Sequence, residues 1–90
     1  MNITLLQIEA PTAAPPAEVR VQVEIDGQTE WHTVQVEPSV LAGHDARLLV
    51  ASEAMQDRFR QDPLTLHRIC RLVSQTLRGH PVRVPQLLAA

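Results

Sequence analysis

The sequence predicts a small α+β domain: an antiparallel sheet with two helices packed on one face. Two patterns indicate this class. Valine and isoleucine alternate with polar residues around an Asp-Gly pair, as in a β-hairpin, and apolar residues recur every three or four positions in the second half of the chain, as in helices. The sheet is expected to contain an N-terminal strand, the hairpin and a short C-terminal edge strand. Ninety residues make a single domain, 1–90.

The first strand is expected at residues 3–10, because ITLLQIEA is apolar and β-branched at its start. The next stretch, 11–18, contains three prolines and three alanines. Proline has no N–H to donate to a sheet. We therefore predict a Pro/Ala-rich loop at 11–18, between the first strand and the hairpin.

The hairpin over residues 19–37 is the clearest pattern in the chain. Asp26-Gly27 separates its two strands, and both residue types tolerate the positive φ of a two-residue turn. The alternation shifts between Trp31 and Val34, so either a β-bulge lies near 32–33 or Trp31 faces away from the valines. We expect Trp31 in the core, because it is the one tryptophan of a small domain. The alternative makes it an exposed recognition residue.

Residues 39–62 allow two interpretations. Leu48, Ala51, Met55 and Phe59 lie three or four positions apart, which favours one continuous helix and is the interpretation we prefer. In the other, 47–51 (RLLVA) is a third strand, and Ser52 caps a shorter helix at 53–61. The question is whether 43–61 forms one helix or a strand followed by a helix.

A second helix is predicted to begin at Pro63, which suits the first turn of a helix. Gly79 and Pro81 are typical of its C-terminal end. The segment 82–85 (VRVP) is predicted as a short final strand at the sheet edge, followed by a tail. The buried side of the helix is expected to be an apolar stripe at positions i, i+3, i+4, i+7 and i+11: Leu66, Ile69, Cys70, Val73 and Leu77.

Composition indicates a compartment and a source. One cysteine excludes an intramolecular disulfide. The N-terminal segment has no basic start and no long apolar run, so we expect no signal peptide, no membrane span and a cytoplasmic location. All 8 basic residues are arginine, which is typical of a GC-rich bacterial genome. We therefore expect a bacterial protein.

Nothing in the sequence favours catalysis. There is no phosphate-binding loop, dinucleotide-binding motif or nucleophile motif. His67 and Cys70 stand three positions apart, but a zinc site needs about four ligands and no further Cys or His pair has the required spacing. We therefore expect no enzyme, no metal, no cofactor and no small-molecule substrate.

Charge is distributed unevenly. Residues 1–41 have six acidic side chains and one arginine, a net charge of −5, whereas 42–90 have seven arginines and four acidic side chains, a net charge of +3. The polar side of the second predicted helix presents the candidate binding residues Arg68, Arg71, Arg78 and His67.

We interpret the protein as a non-catalytic protein-interaction or regulatory module that works through this arginine face or through a sheet edge. The alternative is nucleic-acid binding through the same arginines, although a pI near 6.0 is low for a nucleic-acid-binding domain. Because exposed sheet edges need covering, a homodimer is also expected.

Overall fold

The computed structural model describes residues 1–12, 17–38 and 47–90. Within these ranges the chain forms five strands and two helices, and the strands form one antiparallel sheet with the order β4-β3-β2-β1-β5. This confirms the α+β class, while the packing of both helices on one face stays a prediction. The elements in chain order are β1 (Ile3–Ile8), β2 (Ala17–Ile25), β3 (Gln28–Pro38), β4 (Arg47–Ala51), α1 (Glu53–Arg58), α2 (Pro63–Leu77) and β5 (Gln86–Ala89).

The β2–β3 hairpin lies at the centre of the sheet, as its alternation predicts. Its strands pair without a register shift from Ala17 opposite Val36 to Ile25 opposite Gln28. Asp26 and Gly27 have φ angles of 49° and 87°, the left-handed values that a tight hairpin turn requires. The first strand is also confirmed, at 3–8. Of the predicted loop at 11–18, residues 13–16 lie outside the described residues.

Trp31 is not in the core, and the expectation that it packs there is wrong. The continuous β2–β3 register excludes a bulge at 32–33. Side chains three positions apart on a strand point to opposite faces, so fully buried Val34 places Trp31 on the other face, where it is 39% exposed. The Arg20 guanidinium lies over its ring, 4.4 Å from the ring centre, and covers part of this surface.

The preferred continuous helix over 39–62 is also wrong. Residues 47–51 form strand β4, paired with β3, and Ser52 ends it. The Ser52 hydroxyl accepts a hydrogen bond from the Met55 N–H at 3.2 Å, which caps α1. The apolar run RLLVA is compatible with both the helical repeat and a strand, and its pairing with β3 makes it a strand. Residues 39–46, the start of the predicted helix, lie outside the described residues.

Helix α2 agrees with its predicted pattern. Asp62 caps its N-terminus by accepting hydrogen bonds from the Thr65 N–H at 3.2 Å and the Thr65 hydroxyl at 2.6 Å. Pro63 occupies the first turn, and Gly79, with a φ of 79°, follows the last turn. No helix in the described ranges is long and apolar enough to cross a membrane.

The described core is a single cluster formed by side chains of the sheet and of both helices. Its members are aliphatic apart from one methionine and one phenylalanine. The predicted stripe of α2 contributes Ile69 and Val73, both fully buried. The buried hydrophobic residues are Ile3, Leu5, Val19, Val21, Val23, Ile25, Val34, Ala51, Met55, Phe59, Ile69, Val73 and Leu88.

The final strand lies four residues later than predicted. Residues 82–85 are not a strand; β5 is formed by 86–89 (QLLA), which pairs with β1 and buries Leu88. Pro85 has no N–H for the ladder. The strand therefore follows the proline, in the segment expected to be a tail.

The Ser52 cap gives a direct test of the strand–helix break. Ser52→Ala should lower the free energy of unfolding by about 1 kcal/mol, because it removes the N-cap of α1. If 39–62 were a continuous helix, the same change would stabilise the protein, since alanine is the better helix former. Urea denaturation measures the difference. Ser74→Ala, within α2, is the control and should be neutral or slightly stabilising.

Candidate functional site

The structure separates the predicted arginine face into two parts. The Arg68 guanidinium donates a hydrogen bond to the Leu88 carbonyl at 2.6 Å, so this side chain ties α2 to β5. His67, Arg71 and Arg78 follow one another four and seven positions apart, on one side of a helix that turns about 100° per residue. All three are exposed. We call them the basic rim; Arg68 does not belong to it.

A groove runs between β4 and α2, next to the basic rim, and we call it the β4–α2 groove. Its volume is about 410 Å³. Leu49 forms the strand side, whereas half-buried Leu66 and Cys70 form the helix side. The complete lining is Leu49, Val50, Ala51, Gln56, Pro63, Leu66, His67 and Cys70. Five of the eight lining residues are apolar, Gln56, His67 and Cys70 add polar groups, and His67 connects the groove to the basic rim.

Strand β4 lies at the edge of the described sheet, and none of the described strands pairs with its other side. The Ser52 N–H donates to the Thr33 carbonyl at 3.0 Å. Backbone groups on an antiparallel strand point alternately toward and away from the partner. Val50 therefore pairs inward with β3, while the N–H and C=O groups of Leu49 and Ala51 point outward, toward the open edge.

Gln56 of α1 confirms the direction of these outward groups. Its side-chain amide donates to the Ala51 carbonyl at 2.7 Å, as the N–H of a neighbouring strand would. In the described part of the chain, neither the Leu49 N–H and C=O nor the Ala51 N–H has a partner. Leu49 and Ala51 therefore offer two donors and one acceptor beside the β4–α2 groove.

The opposite face of β4 is also accessible. Leu48 is 54% exposed. A second depression, lined by Glu18, Thr33, Gln35, Val50, Ala51, Ser52, Glu53 and Gln56, lies along that side of the strand.

Cys70 acts as part of the apolar wall of the groove. Burial raises the pKa of its thiol above the ordinary value of 9.0. The thiol is therefore neutral near pH 7, and a neutral thiol is a poor nucleophile and metal ligand. Among the described residues, no three or more His, Cys, Asp or Glu side chains cluster where they could hold a metal ion.

Glu30, His32 and Arg58 form a polar network that joins β3 to α1. Nε2 of His32 lies 3.0 Å from Oε1 of Glu30, and Nε of Arg58 donates to both Glu30 oxygens at 3.1 and 3.0 Å. The buried His32 ring packs edge-on against Phe59, with centres 5.9 Å apart. The sequence analysis missed this network, although Glu30 and His32 share one strand face by their spacing of two.

The network favours the ionised form of Glu30. Burial of the carboxylate raises the pKa, but the hydrogen bonds from His32 and Arg58 outweigh burial and keep the pKa of Glu30 below its ordinary value of 4.5. This carboxylate therefore stabilises the contact between β3 and α1 at neutral pH.

Comparison with protein-family models, curated proteins and solved structures gives no match for this chain. The proposed function therefore depends on the β4 edge, the β4–α2 groove and the basic rim.

The different roles of Arg68 and Arg71 can be measured. Arg68→Gln should lower the free energy of unfolding by about 1 kcal/mol, because it removes a charged donor from the Leu88 carbonyl. It should also speed amide exchange in β5. Arg71→Gln, the matched change one position from Cys70, should leave both quantities near wild type. Equal destabilisation by the two variants would contradict this division of roles.

The Glu30 network predicts a defined pH dependence. Folding lowers the pKa of Glu30, so its contribution to stability is present above pH 4.5 and is lost as the pH falls through the lower, folded-state pKa. Glu30→Gln should destabilise the protein by about 1 kcal/mol at pH 7. The difference from wild type should shrink toward zero as the pH falls below 4.5 and through the folded-state pKa.

Urea denaturation at pH 7 and at a series of pH values below 4.5 measures this difference. Glu24→Gln is the control, since Glu24 forms no ion pair with any described residue. A Glu30→Gln penalty that stays constant with pH would show that the carboxylate charge is not what stabilises the network.

Proposed function

We propose that the protein is a non-catalytic interaction module that binds an extended segment of a partner protein as an additional strand on β4. The observation that supports this most strongly is the open β4 edge beside the β4–α2 groove. Adding a strand to a free sheet edge is a general mode of peptide recognition, in which main-chain hydrogen bonds give affinity and side-chain pockets give specificity.

The hydrogen-bonding groups on the edge suit a strand. The outward N–H groups of Leu49 and Ala51 would each donate to a carbonyl of the bound segment, and the Leu49 carbonyl would accept from one of its N–H groups. Gln56 already fills the fourth position, at the Ala51 carbonyl. A segment of only a few residues can therefore use all three free groups of Leu49 and Ala51.

The groove supplies a place for the side chains of such a segment. Alternate residues of a strand point to the same face, so every second side chain would enter the β4–α2 groove. There it would meet Leu49, Leu66 and Cys70. These contacts favour aliphatic side chains, because burying apolar surface is the main favourable term in association.

The edge strand itself supports an interaction function. Free edges are usually protected by lysine, proline or inward-pointing charge, but residues 48–51 (LLVA) are uncharged and apolar. Such an edge favours a partner that covers it. A second copy paired through β4 would give the expected homodimer, and we treat it as an alternative outcome of the test.

The nucleic-acid alternative has weaker support. The basic rim is exposed, but Arg68 is engaged with Leu88, which leaves two arginines and one histidine of the predicted set.

A cytoplasmic location remains part of the proposal, since an unpaired cysteine suits a reducing compartment.

Display selection followed by amide exchange tests the proposal. Random twelve-residue peptides displayed on phage are selected against the wild-type protein, and each selected peptide is then added to ¹⁵N-labelled protein. We expect the Leu49 and Ala51 amides to become protected from exchange on binding, while the Val50 amide, already paired with β3, changes little. Selected peptides that bind without protecting Leu49 and Ala51 would contradict the proposal.

A backbone variant makes the test specific to the edge. A chemically synthesised chain with N-methyl-Leu49 lacks one outward donor but keeps every side chain. Its free energy of unfolding should stay near that of the unmodified chain, because this N–H has no described partner. Affinity for the selected peptides should fall by about five- to tenfold.

Two other outcomes would identify other partners. Protection of Leu49 and Ala51 that grows with protein concentration, without peptide, would assign the edge to a second copy and overturn the peptide proposal. Binding of a twenty-nucleotide single strand that weakens steeply with salt would favour the nucleic-acid alternative.

A further inference from the structure

We infer that the segment bound at β4 is acidic, with an aspartate or glutamate two residues from an aliphatic residue on the same face of the strand. This inference rests on the proposed function and names the chemistry of the partner. It follows from the position and the unpaired charge of the basic rim.

The basic rim borders the part of the groove through which inward-facing side chains would pass. Leu66 and Cys70 line the groove, as does His67. Arg71 follows Cys70 directly and lies one helical turn beyond His67. A side chain that extends past the apolar wall therefore meets positive charge along this side of α2.

The two arginines of the rim form no ion pair with any described residue, whereas four other described arginines are engaged. Arg20, Arg58 and Arg60 each pair with a carboxylate, and Arg68 donates to a backbone carbonyl. Among the described residues, neither Arg71 nor Arg78 forms an ion pair. Their charge is therefore available to a bound carboxylate.

Two acidic side chains near the ends of α1 and α2 are engaged locally. Asp62 accepts from Thr65 at the N-terminus of α2, and Asp57 pairs with Arg60. The acidic side chain of the segment should thus lie toward Arg71, away from Asp62. The same charge disfavours a second copy across this edge, because a two-fold axis would bring two basic rims together.

The repeat lengths of a strand and of a helix determine the spacing between the acidic and the aliphatic residue of the segment. Residues i and i+2 of a strand lie about 6.7 Å apart on one face, close to the rise of about 5.4 Å per helical turn. For a segment that runs along α2, an aliphatic side chain against Leu66 would therefore place the next inward-facing residue one turn further on, beside Cys70 and Arg71. An acidic residue at that position would complement the rim.

Parallel selections test this inference. The same phage library is selected against wild type, against the Arg71→Gln/Arg78→Gln double variant and against Arg83→Gln, an exposed arginine outside α2. Wild type and Arg83→Gln should enrich peptides with Asp or Glu two residues from Val, Ile or Leu. The double variant should lose this enrichment while its selected peptides still protect the Leu49 and Ala51 amides.

Affinities then test the charge contact itself. Replacing the acidic residue of the best wild-type peptide by its amide should weaken binding to wild type about three- to tenfold, as expected for charge pairs at an interface rim. The same replacement should leave binding to the double variant nearly unchanged. The preference should also shrink at 0.5 M salt, where exposed charges are screened.

The outcomes separate the two proposals. Peptides that protect the β4 amides without acidic enrichment would overturn the inference and leave the proposed function intact. Acidic peptides that bind the basic rim without protecting Leu49 and Ala51 would overturn the proposed function, and with it the strand-based spacing inferred here.

Discussion

The hydrogen bond between the Ser52 hydroxyl and the Met55 N–H is the contact on which the candidate site depends. It ends β4 and begins α1 within a single residue. Because α1 starts there, Gln56 reaches back to the Ala51 carbonyl, while Met55 and Phe59 enter the core. The chain then turns at Asp62 into α2, whose side chains form the other wall of the groove.

The polar contacts of the two helices keep that arrangement in place. Arg58 pairs with Glu30 across the boundary between the acidic and basic halves of the chain. Part of the uneven charge seen in the sequence is therefore neutralised within the molecule. Arg68 secures β5 through the Leu88 carbonyl. Among the described residues, Arg71 and Arg78 form no ion pair, and in our proposal they supply the charge that a partner would meet.

Local signals made much of the fold predictable from sequence. The hairpin combined strand alternation with an Asp-Gly turn, and α2 combined an apolar stripe with a proline at its start and a glycine after its end. Both signals depend on residues close in sequence. For the same reason, the predicted apolar stripe of α2 correctly places Ile69 and Val73 in the core.

The wrong predictions concern segments whose structure depends on contacts with residues far away in the sequence. Whether RLLVA is a strand or a helix depends on its pairing with β3. The candidate site at the β4 edge could not be predicted without knowing that this segment is a strand. A helical pattern shows which side Arg68 is on but not that the Leu88 carbonyl lies beside it. Trp31 is expected in the core as the one tryptophan of a small domain, and a bulge would have allowed this, but the β2–β3 register has no bulge. An Arg20 side chain eleven residues away shields the ring instead.

The central claim is that β4 has one paired side and one open side. Residue-resolved amide exchange on the free protein at low concentration tests it most directly. The account predicts an alternating pattern: slow exchange at Leu48, Val50 and Ser52, which face β3, and fast exchange at Leu49 and Ala51, which face outward. Slow exchange at all five amides would show that the edge is already covered and would contradict the account.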